Sequence, residues 1–357
     1  MKKAIEFINS TINNTCWNKM IRVYGWQKEY DYLLKSSVSK YLFEDLNVIE
    51  NLAPLTNENR EGIKKPKYYI TVHDTGDADE THNALFWSTA VKEEKWEQGK
   101  YACSYQYVVG NDGVYHNIPD DELAWHAGDS TKFDYKLYDS NVTGINEYPI
   151  ITIDEEGYYC IDGKKSSILS PTIHKKIDDE IVIDRIAKTS DINDQGVLCK
   201  LINGKYYIGE NYYNSGYELI ANRGGNNNSI GIESCINENS DIYYTWQLTA
   251  KLVANLLHNN SLSFDDIKQH HYFSGKNCPQ TMRMNDMWEH FMQLVKIEYQ
   301  AINFKKQGFC FELVPISNNI INNGRIINSE ENNIFNIKIT NKNNNEQIVL
   351  NYNIKKA

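Results

Sequence analysis

The chain has 357 residues, a formal net charge of −10 and 24% charged residues. This length predicts about two or three domains, and the acidic balance excludes a general nucleic-acid binder, which needs a basic surface. No stretch of the sequence approaches the roughly 20 apolar residues of a membrane span. The first residues lack the apolar segment of a signal peptide, so export by the usual secretory route is not predicted.

The first predicted region is helical and covers residues 1–58. Its apolar residues recur at helical spacing; they are Ile5, Ile8, Ile12, Met20, Val23, Trp26, Leu33, Leu34, Val38, Leu42 and Leu46. A polar stretch that ends in proline, residues 57–66, predicts a linker to the next domain.

The second predicted domain covers residues 67–301 and mixes strands with helices. Strand-like runs occur at 68–72, 104–109, 114–118, 123–126 and 229–236, and helical patterns occur at 81–97, 244–257 and 284–301. Inside this domain, residues 130–222 hold short strand-like runs between Asp-Gly and Asn-Gly turns, which predicts a β-rich insertion. The tail, residues 302–357, alternates apolar and polar residues and predicts a small C-terminal β domain of unknown role.

Histidine and cysteine residues in two distant stretches could form a metal site. His73 ends a predicted strand, and Cys278 follows the adjacent pair His270 and His271. Zinc prefers imidazole and thiolate ligands, so His73, one histidine of the pair and Cys278 predict a zinc site. Adjacent residues on extended backbone point in opposite directions, so only one histidine of the pair would face the metal. The alternative is that His73 caps a strand end and Cys278 is a buried thiol, as most of the seven scattered cysteines are expected to be.

Several longer motifs occur in one order over residues 67–129 and 224–300: VHDTG, SYQYVV, NDGVYHNIPDDELAWHAGD, NSIGIES and HHYFSGKNCP. This order resembles the zinc-dependent N-acetylmuramoyl-L-alanine amidases of the amidase-2 type, which are relatives of phage endolysins and peptidoglycan recognition proteins. The resemblance implies an α/β (α+β) fold with a central mixed β-sheet flanked by helices. It also implies a hydrolase that cleaves the amide between N-acetylmuramic acid and L-alanine of peptidoglycan. Such a protein would be made in the cytoplasm and act on the cell wall after lysis or non-classical release.

The resemblance also implies roles for individual residues. The family spacing His-x7-Cys selects His270, so the implied Zn²⁺ ligands are His73, His270 and Cys278. His271 would then lie outside the set of ligands, as a neighbour of the site or an exposed residue.

The implied catalytic residues are Glu233, Lys276 and Tyr105. Glu233 would accept the proton of the attacking water, and Lys276 or Tyr105 would stabilise the oxyanion. Trp125 and His126 would line the substrate groove. The competing interpretations are that Glu233 is a solvated strand residue, that Lys276 is a loop charge and that Tyr105 belongs to the core.

Two positions depart from the family pattern without removing a ligand. Gln106 stands where the family usually has histidine, and Tyr272 stands where many members have an acidic residue. Two other functions stay open from the sequence: a non-catalytic peptidoglycan-binding module, and a zinc peptidase that cuts within the stem peptide.

Overall fold

The computed structural model describes residues 1–14, 19–26, 30–32, 45–94, 103–127, 137–146, 149–170, 172–177, 180–189, 197, 199–209, 225–274, 276–315 and 333–354. Its helices are α1 (Lys2–Asn14), α2 (Ala84–Glu93), α3 (Gly225–Asn228), α4 (Ile242–Asn260), α5 (His270–Ser274), α6 (Gln280–Met284) and α7 (Trp288–Lys306). Its strands up to the insertion are β1 (Lys19–Ile21), β2 (Tyr30–Tyr32), β3 (Val48–Glu50), β4 (Tyr69–Asp74), β5 (Tyr107–Gly110) and β6 (Gly113–His116). The following strands are β7 (Leu137–Thr143), β8 (Ile151–Ile153), β9 (Tyr158–Ile161), β10 (Lys164–Leu169), β11 (Thr172–Ile177), β12 (Glu180–Ile186), β13 (Cys199–Ile202) and β14 (Lys205–Gly209). The last strands are β15 (Ser229–Ser234), β16 (Ile267–Gln269), β17 (Phe309–Pro315), β18 (Asn333–Asn341) and β19 (Glu346–Ile354).

A mixed six-stranded sheet in the order β16-β4-β15-β5-β6-β3 forms the centre of the fold. Its β5–β6 pair is antiparallel and its other pairs are parallel. Helices α4 and α7 cover one face, where Trp246 packs in one core with Ile70 and Ile232. Helix α2 covers the other face, where Val91 packs with Val108. The predicted α/β (α+β) class, with a central mixed sheet flanked by helices, is confirmed.

Within the described part of residues 1–58, helix occurs at α1, and the prediction of helix is wrong at the short strands β1, β2 and β3. Strand β1 pairs with β2, and β3 pairs with β6 at the edge of the central sheet. Ile21 and Val23 are buried in the core of that sheet. Strands of three residues are too short for hydrophobic spacing to distinguish them from helix, so their partners decide the conformation. Most of the predicted segment 30–49, including Leu33, Leu34, Val38 and Leu42, lies outside the described residues.

The start of helix α2 and the conformation of residues 123–126 also differ from the prediction. Helix α2 begins at Ala84 because the Asn83 side chain caps it by accepting the Phe86 N–H. Residues 123–126 form a loop and not a strand. This loop is held by hydrogen bonds to two different segments, from Leu123 N–H to the Ile63 carbonyl and from Ala124 N–H to the Asn226 carbonyl.

The predicted insertion contains β7–β14, in agreement with its predicted β-rich character. These strands form the sheets β10-β9-β8, β11-β12 and β13-β14-β7. Side chains from several of them form a small core that includes Val142, Tyr159, Ile161, Tyr206 and Ile208.

The C-terminal strands form the antiparallel sheet β17-β18-β19. Phe7 and Ile8 of α1 share one core with Phe311, Phe335 and Ile337 of this sheet. The sequence predicted α1 and the tail in separate regions, but the apolar face of α1 is buried against the tail. No helix among the described residues combines the length and apolar character of a membrane span.

Candidate metal centre and active site

His73 and Glu233 lie side by side near the carboxyl ends of neighbouring parallel strands. They are register partners in the β4–β15 pair, and the alternation of side chains puts both on the α2 face of the sheet. The distance from His73 Nδ1 to Glu233 Oε1 is 3.8 Å. His73 is fully buried, whereas the Glu233 side chain is 15% exposed.

His270 and Cys278 complete a cluster of three possible metal ligands around His73. His270 directly follows β16, which pairs with β4, and its ring centroid lies 4.7 Å from that of His73. Cys278 returns to the site because the His271 N–H donates to the Cys278 carbonyl at 3.1 Å. Its Sγ is 3.7 Å from His73 Nδ1. One ligand atom from each of His73, His270 and Cys278 lies within 4.8 Å of the others, and all three residues are buried.

The chemistry of these three residues fits a zinc ion. Burial holds the pKa of His73 and His270 well below the usual value, so both rings are neutral, as metal ligands must be. Burial also holds the pKa of Cys278 well above its usual value, so the thiol must lose its proton when a metal binds. The Nδ1 of His270 is buried and has no hydrogen-bond partner among the described residues. A buried polar atom without a partner is costly, and a bound ion nearby would lower that cost.

Asp74, which the sequence analysis did not select, holds the segment after Cys278 against β4. Its Oδ2 accepts the Thr281 N–H at 2.7 Å. Burial raises the pKa of Asp74, and backbone donors at Thr281 and Gln280 act in the opposite direction. Asp74 follows His73 directly. The end of β4 therefore carries the first candidate ligand and also anchors the segment that follows Cys278.

Burial and the nearby charge of Lys276 act on the pKa of Glu233 in opposite directions. Burial raises the pKa of Glu233 to about 8; the positive charge of Lys276 opposes this shift, and Asp74 adds to it. The Oε2 of Glu233 has no hydrogen-bond partner within the described part of the chain. Lys276 also lowers the pKa of His73 and His270, although burial dominates at both, so its charge lies close to the cluster.

The structure favours the core interpretation of Tyr105. The residue is 3% exposed, and its hydroxyl donates to the Trp87 carbonyl at 3.2 Å. Burial raises the pKa of Tyr105 well above its usual value. A hydroxyl has one proton, so Tyr105 could donate to an oxyanion only after breaking this bond. Trp125 is half-buried and is joined to Ser104 by two hydrogen bonds, and its predicted contact with substrate stays a prediction.

His126 contacts a metal-ligand residue directly. Its Nδ1 lies 2.9 Å from His73 Nε2, and the two rings meet edge to face. Burial, with the charge of Lys67 as a smaller contribution, lowers the pKa of His126 to about 3, so the ring is neutral. His126, which was predicted to line the substrate groove, therefore also supports the first candidate ligand, His73.

Gln106 occupies the position of the family histidine and joins two backbone segments. Its Nε2 donates to the Glu122 carbonyl at 2.9 Å, and its Oε1 accepts the Gly231 N–H at 2.7 Å. The side chain is fully buried. The mismatch with the family pattern was visible in the sequence, but its backbone partners are more than 15 residues away and only the fold identifies them.

A cavity of about 600 Å³ lies on the other side of the Cys278 segment. Its walls come from the N-terminal residues 22–26, from the insertion, and from His271, Asn277 and Gln280 beside the candidate metal ligands. His271 thus faces a different space from that of His270. The insertion contributes Pro149, Ile150, Ile151, Thr152, Thr189 and Val197.

The chain is similar to known proteins. Residues 64–281 match the amidase-2 family, described as N-acetylmuramoyl-L-alanine amidase. The N-acetylmuramoyl-L-alanine amidase CwlH of Bacillus subtilis (strain 168) is 30% identical over 86 residues, which are 24% of this chain and 32% of that protein. The amidase XlyA of the same organism is 29% identical over 90 residues, 24% of this chain and 27% of that protein.

The matched regions span 32% and 27% of the length of these curated relatives. The solved catalytic domain of XlyA aligns with 70% of this chain and 99% of its own, at 19% identity and a TM-score of 0.41. The family match covers more than half of the 357 residues and includes every residue of the candidate metal cluster. The chain therefore belongs to the amidase-2 family of N-acetylmuramoyl-L-alanine amidases.

Proposed function

We propose that this protein hydrolyses the amide bond between N-acetylmuramic acid and L-alanine in bacterial peptidoglycan, with Zn²⁺ held by His73, His270 and Cys278. The observation that carries the proposal is the convergence of these three side chains within 4.8 Å, beside Glu233, in a chain of the amidase-2 family. Two imidazoles and one thiolate leave a coordination position open for substrate or water, as in catalytic zinc sites. When bound, zinc would polarise the scissile carbonyl and lower the pKa of the attacking water.

Glu233 is the proposed general base and acid. Its carboxylate accepts a proton from the attacking water and delivers it to the leaving amine nitrogen, which is a contribution of about 10²–10⁴ in rate. The partly exposed side chain and the unpartnered Oε2 within the described residues support this role. A positive charge bound at the neighbouring ligands would offset the cost of burial and favour the ionised carboxylate.

Lys276 is the proposed source of oxyanion stabilisation. Its charge influences the pKa of both Glu233 and Cys278, and this supports a role close to the negative charge that would develop. A cation preorganised in this way stabilises the transition state more than the ground state. Tyr105 has no direct part in this proposal, because its single hydroxyl proton is donated to the Trp87 carbonyl.

The direct test combines metal analysis with fragment analysis. We expect about one zinc per chain, and digestion of defined peptidoglycan should release stem peptides with a free N-terminal L-alanine. Cys278→Ser should lose both properties, whereas Cys160→Ser, in β9 of the insertion, should keep both. Full activity after complete zinc removal would contradict the metal role.

The same experiment separates the other candidates. Cuts within the stem peptide would indicate a zinc peptidase, and binding without any cut would indicate a recognition module. Release from the cytoplasm by lysis or by a non-classical route stays a prediction.

A further inference from the structure

We propose that His126 is a positioning residue that holds the imidazole of His73 in the tautomer and orientation required for zinc binding. The inference rests on the proposed metal centre and assigns a role to a residue outside the ligand set. It depends on the hydrogen bond between His73 Nε2 and His126 Nδ1, which is 2.9 Å long.

The geometry determines which nitrogen of His73 faces the cluster. His73 Nδ1 lies 3.7 Å from Cys278 Sγ and 3.8 Å from Glu233 Oε1, so Nδ1 is the metal-facing atom. A neutral imidazole that binds a metal through Nδ1 carries its proton on Nε2. His73 therefore donates to His126 Nδ1, and the proton of His126 must lie on its own Nε2.

Hydrogen bonds from the backbone around His126 and packing of its ring against Gly231 hold the residue in place. The N–H groups of His126 and Ala127 both donate to Asn226 Oδ1 at 2.7 Å. The ring lies directly over Gly231 of β15, where an added Cβ would stand 2.7 Å from three of its atoms. Glycine at this position therefore provides the space in which the imidazole reaches His73.

This arrangement leaves His126 poorly placed to bind substrate through its nitrogens. Nδ1 is engaged by His73, and Nε2 is buried. In metalloproteins the nitrogen of a ligand histidine that does not bind the metal usually donates to a carboxylate, a carbonyl or water. Here a second histidine takes the place of that acceptor.

The first test compares zinc affinities by competition with a fluorescent chelator. Loss of an outer hydrogen-bond partner typically weakens metal binding by about 10–100-fold, so His126→Leu should show a loss of this size. The matched control is His258→Leu, in which the lost histidine stacks on Tyr299 at 4.0 Å on helices away from the cluster. The control should retain the wild-type affinity.

A second variant keeps every histidine and every ligand in place. Gly231→Ala should displace the His126 ring and weaken zinc binding in the same direction. This variant tests the inference if His126→Leu does not fold. Wild-type affinity in a folded His126→Leu or Gly231→Ala protein would overturn the positioning role.

NMR of the wild-type protein with ¹⁵N-labelled histidine provides a readout that does not depend on variants. We expect protonated Nε2 on both rings and a ¹⁵N–¹⁵N coupling across the bond from His73 to His126. A proton on His126 Nδ1 would overturn the inference. Failure of the wild-type protein to bind zinc would instead refute the proposed metal centre, so the two failures are distinguishable.

Discussion

Replacing Gln106 by methionine would remove two hydrogen bonds while keeping a side chain of similar length in a fully buried position. Pairing between β15 and β5 begins at Ile232 and Tyr107, so Gly231 and Gln106 lie one residue before it. The glutamine side chain therefore accepts the Gly231 N–H, for which the β5 backbone provides no acceptor. Its amide also binds the Glu122 carbonyl in the loop before His126.

The expected cost follows from the two groups left without a partner. A buried donor or acceptor that loses its partner costs about 1–3 kcal/mol, so Gln106→Met should lower the free energy of unfolding by about 2–6 kcal/mol. Natural domains have about 5–15 kcal/mol in total. The loss should therefore be large, and it should extend to the site because Gly231 underlies His126.

Urea unfolding in the presence of chelator measures this cost without a contribution from bound metal. Gln106→His is the informative control. Histidine offers one donor and one acceptor, so this variant should lose less free energy of unfolding than Gln106→Met. An unfolding free energy for Gln106→Met within about 0.5 kcal/mol of wild type, the range of neutral surface changes, would refute this account of the site's backbone.

Three further predictions concern charged groups. Glu233→Gln should keep zinc but lower turnover by about 10²–10⁴ in a dye-release assay on labelled peptidoglycan; unchanged turnover would exclude Glu233 from catalysis. Burial lowers the pKa of His116, but interactions with the carboxylates of Asp120 and Glu50 outweigh it, so the folded-state pKa is raised. The stabilisation by His116 is thus complete below about pH 6.5 and is lost as the pH rises through the folded-state pKa. The deficit of His116→Gln in urea should therefore shrink between pH 6 and pH 9, and a constant deficit would contradict this. Lys251 and Glu298 pair at 3.0 Å with 5% and 7% exposure, so Lys251→Met should cost about 3–5 kcal/mol in the same measurement. Adding Glu298→Leu should recover most of that cost, and failure to recover it would show that the charge pair is not the cause.

Most of the central fold could be predicted from local pattern. The buried runs around Val72 and Ile232 indicated strands, and the apolar stripe that includes Trp246 indicated α4, because long elements repeat their pattern often enough to be recognised. The short strands β1, β2 and β3 could not be recognised in this way. Their conformation depends on partners that are distant in the sequence, such as β6 for β3.

The candidate site also contains some residues that could be predicted from the sequence and others that could not. His73, Glu233, His270 and Cys278 could be selected from sequence because their residue types and motifs indicate metal chemistry. Gln106 was noticed only as a departure from the family pattern. Asp74 could not be selected, because a carboxylate that caps the Thr281 backbone looks like any other loop acid until the loop is placed beside it.

The sequence by itself determined the class of chemistry, since two imidazoles and a thiol in family motifs define what kind of ion and reaction the chain can support. Only the tertiary structure decided how those groups are supported. The acceptor for His73, the anchor for the Cys278 segment and the partner of α1 all come from residues far away along the chain. Hydrogen bonds and apolar contacts act over a few ångströms in space, so their partners are set by the folded arrangement of strands and not by proximity in sequence.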